Sequence, residues 1–468
     1  MRKVKKLLVI LFIVSLYPII HFTALHFYLN ADDEIYEHIP QESDIVIEIN
    51  CRNFVQEIMY QKIFNEDYFQ EKLFPPDEDE LGKRPINLDI GINVFSKIII
   101  LREQWAEEDV WLAIFEYTNK TALQKFIEEE VGEASIAYGD TYAVAQINRS
   151  TTESSLDEHL QKIADGDVKP FSDRIDLKTY FDPNKEINVY LLHDAGTSHA
   201  KLIDGHLHYD FLHDRISVSG EFTPVSDFAG TPAIAYEMND DVAMSIRSSI
   251  SLFNSLYWFG KDRIDDIPEF RQLAFDYDGV NIMLCDKNLD YPFPFKTFPD
   301  MDVHFDFDDP QPWNDFLQAM VDDGEVKLDT TTKMLSTKSG TFFKYNISDS
   351  EFEFMRDQTS FKAASEETDV FFDFRLNVDP LLANTKLAID ENDPPSKAEQ
   401  TIGLGFGNGF IADLRKMANV ESMWYTMRLN NEERMLAEGE ILMKEKEGSA
   451  MIESLSFGSL ASILLQDL

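Results

Sequence analysis

Five hydrophobic positions recur in this chain at a constant spacing of 190 residues: Phe115 and Phe305, Tyr117 and Phe307, Leu123 and Trp313, Phe126 and Phe316, Ile127 and Leu317. Each copy is an alternating strand pattern that runs through cap residues into a helical one. In the first, Trp111, Phe115 and Tyr117 share a strand face, Thr118-Asn119 suit a helix start, and Leu123, Phe126 and Ile127 follow at helical spacing. In the second, Val303, Phe305 and Phe307 make the face, Asp308-Asp309-Pro310 the start, and Trp313, Phe316, Leu317 and Met320 the helix. Shorter matches keep the same order. IVIEIN (45–50) and IAYEMN (234–239) align Glu48 with Glu237 and Asn50 with Asn239, and each precedes a helix-like stretch, 54–64 or 242–253. Residues 208–222 resemble 425–441, and 188–193 resemble 369–375. Ordered matches of this kind argue for an internal duplication. The expected units are 38–226 and 230–468, each an antiparallel sheet with packed helices. That makes the expected fold class α+β. Strands and helices alternate too irregularly for a doubly wound parallel sheet.

The N-terminus carries a separate signal. Residues 1–6 hold Arg2, Lys3, Lys5 and Lys6, and residues 7–29 contain no charged side chain. As a helix those positions would span roughly 34 Å, enough for a bilayer core of about 30 Å. The run is longer than a secretory signal core and lacks a good small-x-small cleavage site. The expectation is an uncleaved single-pass transmembrane anchor at 7–29 in the bacterial inner membrane. Residues 1–6 would lie in the cytoplasm, 30–37 would form a linker, and the body would be periplasmic or otherwise extracytoplasmic.

Charge narrows the partners. There are 85 Asp+Glu against 42 Lys+Arg, a net charge of −43. Phosphate backbones would be repelled, so nucleic acid is not an expected partner. The two cysteines, Cys51 and Cys285, cannot make a disulfide scaffold or a four-cysteine zinc site.

Candidate chemistry is sparse. Five of the ten histidines fall in 193–214: His193, His199, His206, His208 and His213. On a strand, His206, His208 and Asp210 would project from one face at a spacing usable for a transition metal. The competing explanation is a polar strand face opposite a core face of Leu207, Tyr209 and Phe211. Asp300, Asp302, Asp306, Asp308 and Asp309 surround the second aromatic strand, but they lack the order of a calcium loop. They read as a solvated strand face ending in a helix cap. GLGFGNGF (403–410) misses both phosphate-loop registers. No G-x-S-x-G or H-E-x-x-H occurs, and no cofactor is implied.

The basic start, the apolar run, IPQESDIVIEIN (39–50) and GEILMKEKEGSAMIESL (439–455) together resemble a group of membrane-anchored bacterial proteins of unknown function. Their exported domains open with a Pro-x-Asp/Ser-x-x-hydrophobic segment closing on Ile-Asn or Ile-Asp. The resemblance implies a cell-envelope location and no defined catalytic residues. The expected function is that of a non-enzymatic, membrane-tethered scaffold or binding protein of the envelope. Its expected partners are the lipid bilayer, through 7–29, and another envelope protein or ligand. The alternatives are a metal-dependent hydrolase using 193–214, or a binder of a small ligand between the two units.

Overall fold

Period-two alternation is converted mainly into antiparallel strands. The structure, a computed structural model, describes residues 34–64, 91–93, 96–105, 108–130, 135–147, 154–192, 202–224, 228, 231–249, 268–284, 295–324, 326–337, 342–355, 361–364, 369–380, 385–388, 420–430, 434–444 and 449–450. The chain divides into two units. The first comprises Met1–Asn65 and Pro76–Tyr190, the second Glu66–Pro75 and Leu191–Leu468.

In the first unit, β1 (Ile45–Asn50) leads into helix α1 (Cys51–Phe64), then β2 (Lys97–Trp105), β3 (Glu108–Glu116) and α2 (Lys120–Glu130). After these come β4 (Ile136–Tyr138), β5 (Tyr142–Gln146), α3 (Ser154–Ala164) and β6 (Ile187–Leu192). The strands pair in the order β6-β1-β2-β3-β5-β4. Helix α2 starts where its sequence directs, because the Asn119 side chain accepts from the Thr121 and Ala122 N–H groups at 3.1 and 3.2 Å. Leu123 then packs on Phe115 and Ala143. Glu48 is fully buried in β1. Its charge is matched by Lys97 Nζ at 3.0 Å, Asn188 Nδ2 at 2.9 Å and the Tyr36 hydroxyl.

The second unit holds β7 (Leu202–Phe211), β8 (Arg215–Pro224), β9 (Met244–Ser248), β10 (Gln272–Leu284), β11 (Phe295–Asp306) and helix α4 (Pro310–Asp322). There follow β12 (Val326–Asp329), β13 (Met334–Thr337), β14 (Phe342–Ile347), β15 (Glu351–Met355), β16 (Val370–Asn377), β17 (Thr385–Ala388), β18 (Val420–Leu429) and β19 (Met435–Met443). An unbroken antiparallel ribbon runs β7-β8-β19-β18-β16-β9-β10-β11-β15-β14-β13-β12. Strand β10 bulges at Gly279, whose φ of +130° suits glycine, and beyond the bulge it takes β17 as a parallel neighbour. Helix α4 is capped by Asp309, which accepts from the Gln311 N–H at 2.9 Å, and Pro310 opens its first turn. Trp313 and Leu317 seat it on Phe307, Phe352 and Tyr345.

Both copies of the strand–cap–helix pattern therefore form, as β3–α2 and β11–α4. Other expectations need correction. The α+β class gives way to a fold dominated by antiparallel sheet, in which the described α-helices are only 11–14 residues long. Residues 242–249, expected as helix, instead supply β9, which sits between β10 and β16. Its ladder partners, not its local pattern, decide its form. The hairpin β7–β8, read from sequence as the end of the first unit, lies in the second, where β8 pairs with β19.

The described residues give the expected single-pass inner-membrane topology no support. No helix among the described residues is long and apolar enough to cross a membrane. The longest, α1 with 14 residues, spans roughly 21 Å against a core of about 30 Å and includes Arg52 and Glu57. Residues 7–29 lie outside the described residues.

Candidate functional site

The register of the ribbon sorts its side chains onto two faces. Starting from His304 on β11, the directly paired positions on successive strands are Ala274, Arg247, Asp373, Thr426, Glu438, Ser219 and His208. One residue away, the row is Val303, Phe275, Ile246, Phe374, Tyr425, Gly439, Val218 and Tyr209. One face is thus polar and the other apolar across eight strands, as period two requires. Burial pushes the Tyr209 and Tyr277 phenols on the apolar face up to about 12.

Between β16 and β11 the polar face is covered by the chain itself. Residues 233–239 cross it as an extended strap. Gln272 donates to the Ala233 carbonyl at 3.0 Å and accepts from the Ala235 N–H at 3.1 Å, while Arg247 Nε donates to the Glu237 carbonyl at 2.9 Å. Asn239 reaches Asp276 at 3.1 Å. A second segment, 361–364, pairs with the strap through Tyr236 and Ala363 and places Phe361 beside the His304 ring and over the Arg247 guanidinium. Buried polar residues here are satisfied in part by backbone groups of the strap, which lie outside the sheet ladders.

At the end of this covered zone sits a cluster of titratable side chains. His304 and Asp306 project from one face of β11, two residues apart, and pair across β15 with Glu353 and Glu351. His304 Nε2 lies 2.7 Å from Asp306 Oδ1, and Nδ1 lies 3.1 Å from Glu353 Oε1. The Tyr236 hydroxyl donates to Asp306 Oδ2 at 2.9 Å and stands 2.9 Å from Nε2. With both ring nitrogens facing carboxylates, the geometry favours the protonated imidazole. Burial alone would lower the His304 pKa, but Asp306 and Glu353 outweigh it, and the net displacement is upward. Burial likewise works against the charged form of Asp306, yet His304 and Tyr236 bring its pKa below the usual range. Burial and the Asp306 bond push the Tyr236 phenol up.

These shifts fix a pH dependence for the metal-free protein. The raised His304 pKa contributes stability that is complete below its ordinary value of 6.5 and is lost as pH rises through the higher folded value. The lowered Asp306 pKa contributes stability present above 3.8 and lost as pH falls through its folded value. The pair therefore stabilises most between those limits. His304→Gln is expected to flatten the decline in Tm between pH 6.5 and 9 in chelator-treated protein. Equal slopes for wild type and variant would refute this assignment.

The residues singled out from sequence lie at the far end of the same face. His206, His208 and Asp210 project from β7 opposite Glu221, Ser219 and Ser217, seven strand spacings from β11, about 33 Å measured along the sheet. The two imidazoles are 5.0 Å apart. Burial lowers the His206 pKa, partly offset by Glu221 and Asp204. His213 is exposed in the following turn, and His193 and His199 lie outside the described residues. Among the described residues, the three-residue group whose ligand atoms all lie within 4.8 Å of one another is not this one but His304, Asp306 and Glu351. The aspartates around β11 divide by role: Asp309 caps α4, Asp308 pairs with Arg271 at 3.2 Å, and Asp306 joins the histidine. Cys51 opens α1, where burial pushes its thiol up to about 12, an unreactive state, and Cys285 lies outside the described residues.

No protein-family model matches the chain, and no curated protein matches it. Among solved structures, crystal form IV of TP0453 is similar over 40% of this chain and 79% of that chain, at 7% sequence identity and a TM-score of 0.23. A score that low carries no argument about fold or function.

Proposed function

We propose that the protein acts by binding, as a non-enzymatic scaffold or binding protein, and that a folded protein partner docks on the polar face of the second unit between β16 and β7. The supporting observation is the half-buried, internally paired charge on these five strands. Trp424 stands near their centre, its indole N–H donating to Glu440 at 3.2 Å. Arg215 meets the same Glu440 at 3.2 Å, and Arg428 meets Glu438 at 2.9 Å. Tryptophan and arginine, held by neighbours on regular strands, are the side chains that most often anchor protein interfaces. Pre-paired charges lose little freedom on docking and favour a partner of mixed, complementary charge.

Site-specific photo-crosslinking in producing cells tests the reading. A photoreactive amino acid at Ser219 or Thr426, both on this face, should give one discrete adduct of higher mass. The same group at Gln318, on the exposed side of α4, should not. Adducts that are absent from the first two positions, or identical at all three, would sink the proposal.

A further inference from the structure

We propose that His304, Asp306 and Glu351 bind one divalent transition-metal ion of the zinc class, with Glu353 holding the imidazole from behind. The inference goes beyond the docking proposal and stands if that proposal fails, because it uses side chains on β11 and β15 and no partner.

Geometry supports it first. One ligand atom from each of the three residues lies within 4.8 Å of the others. Bonds of about 2.0–2.2 Å in tetrahedral array place ligand atoms roughly 3.4 Å apart. His304 Nε2 and Asp306 Oδ1, now 2.7 Å apart across a shared proton, would need to separate by only about 0.7 Å to admit an ion in its place. Strand pairing fixes the three Cα positions, with Asp306 directly opposite Glu351, so side-chain torsions alone can make that adjustment.

The second support is the orientation of the ring. Nδ1 faces Glu353 Oε1 at 3.1 Å, which selects the tautomer with its proton on Nδ1 once Nε2 gives up its own. A carboxylate behind the histidine is the usual outer support of a metal-bound imidazole. The Tyr236 hydroxyl, donating to Asp306 Oδ2 at 2.9 Å, holds the other ligand in the same way.

Charge is the third. Asp306, Glu351 and Glu353 converge on one imidazole, while the nearby Arg271 is paired with Asp308 at 3.2 Å, so three partly desolvated carboxylates face one ring. Replacing its Nε2 proton by a divalent cation improves the balance, and partly exposed carboxylates leave a route of entry. An imidazole with two carboxylates suits zinc-like ions better than calcium, which takes six to eight oxygen ligands. Three protein ligands leave a fourth position for water or a donor from a bound molecule.

Chelator-stripped full-length protein titrated with zinc chloride should take up one ion per chain with a rise in Tm. His304→Gln and Asp306→Asn should each weaken binding by at least about 100-fold, and Glu353→Gln by about 10–100-fold. The double variant His206→Gln/His208→Gln should bind as wild type does. X-ray absorption on zinc-loaded wild-type protein reads the ligand set without any variant and should show one imidazole among oxygen donors. Two or more imidazoles, undiminished uptake in folded His304→Gln, equal affinity for calcium, or no saturable uptake would each overturn the site.

Discussion

Arg247→Met is expected to destabilise the protein by about 3–5 kcal/mol, the range for removing one partner of a buried ion pair. The Arg247 side chain is 2% exposed and that of Asp276 10%. The guanidinium grips the carboxylate through two nitrogens at 2.8 and 3.2 Å, and its remaining donors reach the carbonyls of Glu237, Ile246 and Phe275. Loss of the arginine strands the Glu237 carbonyl of the strap and leaves Asp276 with Ser245 and Asn239 as hydrogen-bond donors. It also frees the strap 233–239 from the sheet, so hydrogen exchange should rise there before it rises in β10. The double variant Arg247→Met/Asp276→Leu removes the stranded charge but not the stranded carbonyl. It should therefore recover part of the loss, with a coupling energy of about 1–3 kcal/mol in urea denaturation. Full recovery would mean that the strap contacts contribute nothing, and no recovery would mean that the charge pair contributes nothing.

That contrast marks where the sequence is legible. Alternation in 234–239 is genuine: Ile234 is buried and Ala235 and Glu237 are exposed. What the pattern could not say is that the segment would lie across a sheet face rather than in a ladder, because the anchoring groups, Gln272 and Arg247, belong to strands elsewhere. Local signals did better. The Asn119 and Asp309 caps form where their short side chains and the following residues predict, since a cap needs only its own first turn. Strand β9 carries a helix-like pattern in sequence because five residues between two long-range partners hold little local information. Pairings such as β8 with β19 join residues more than 200 positions apart, beyond any periodic pattern.

The same logic applies to the site. The spacing that drew attention to His206 and His208 is present in His304-x-Asp306, and by that rule it was equally visible. The decisive partners, Glu351 and Glu353, come to it only through the β11–β15 ladder, and Tyr236 only through the strap. An acidic chain offers so many carboxylate pairs that no spacing could have selected these.

Trp313→Ala should cost about 3–5 kcal/mol, as for other large aromatic truncations in filled cores. Trp313 is 2% exposed, with ring centroids 4.7 Å from Phe305, 5.4 Å from Phe307 and 5.5 Å from Phe352. Its indole N–H donates to the Glu269 carbonyl at 3.2 Å, so the truncation also orphans an acceptor. Neighbours on β11 and β15 are held by their ladders and cannot collapse far into the space. Phe316 looks equivalent on a helical wheel, yet it is only half-buried and meets Trp313 edge-on at 6.3 Å. Phe316→Ala should therefore cost less, about 1–2 kcal/mol. Urea denaturation midpoints for the two variants measure the difference directly. If Phe316→Ala proved as damaging as Trp313→Ala, the cluster would have to be centred on the helix rim rather than on the strand face beneath it.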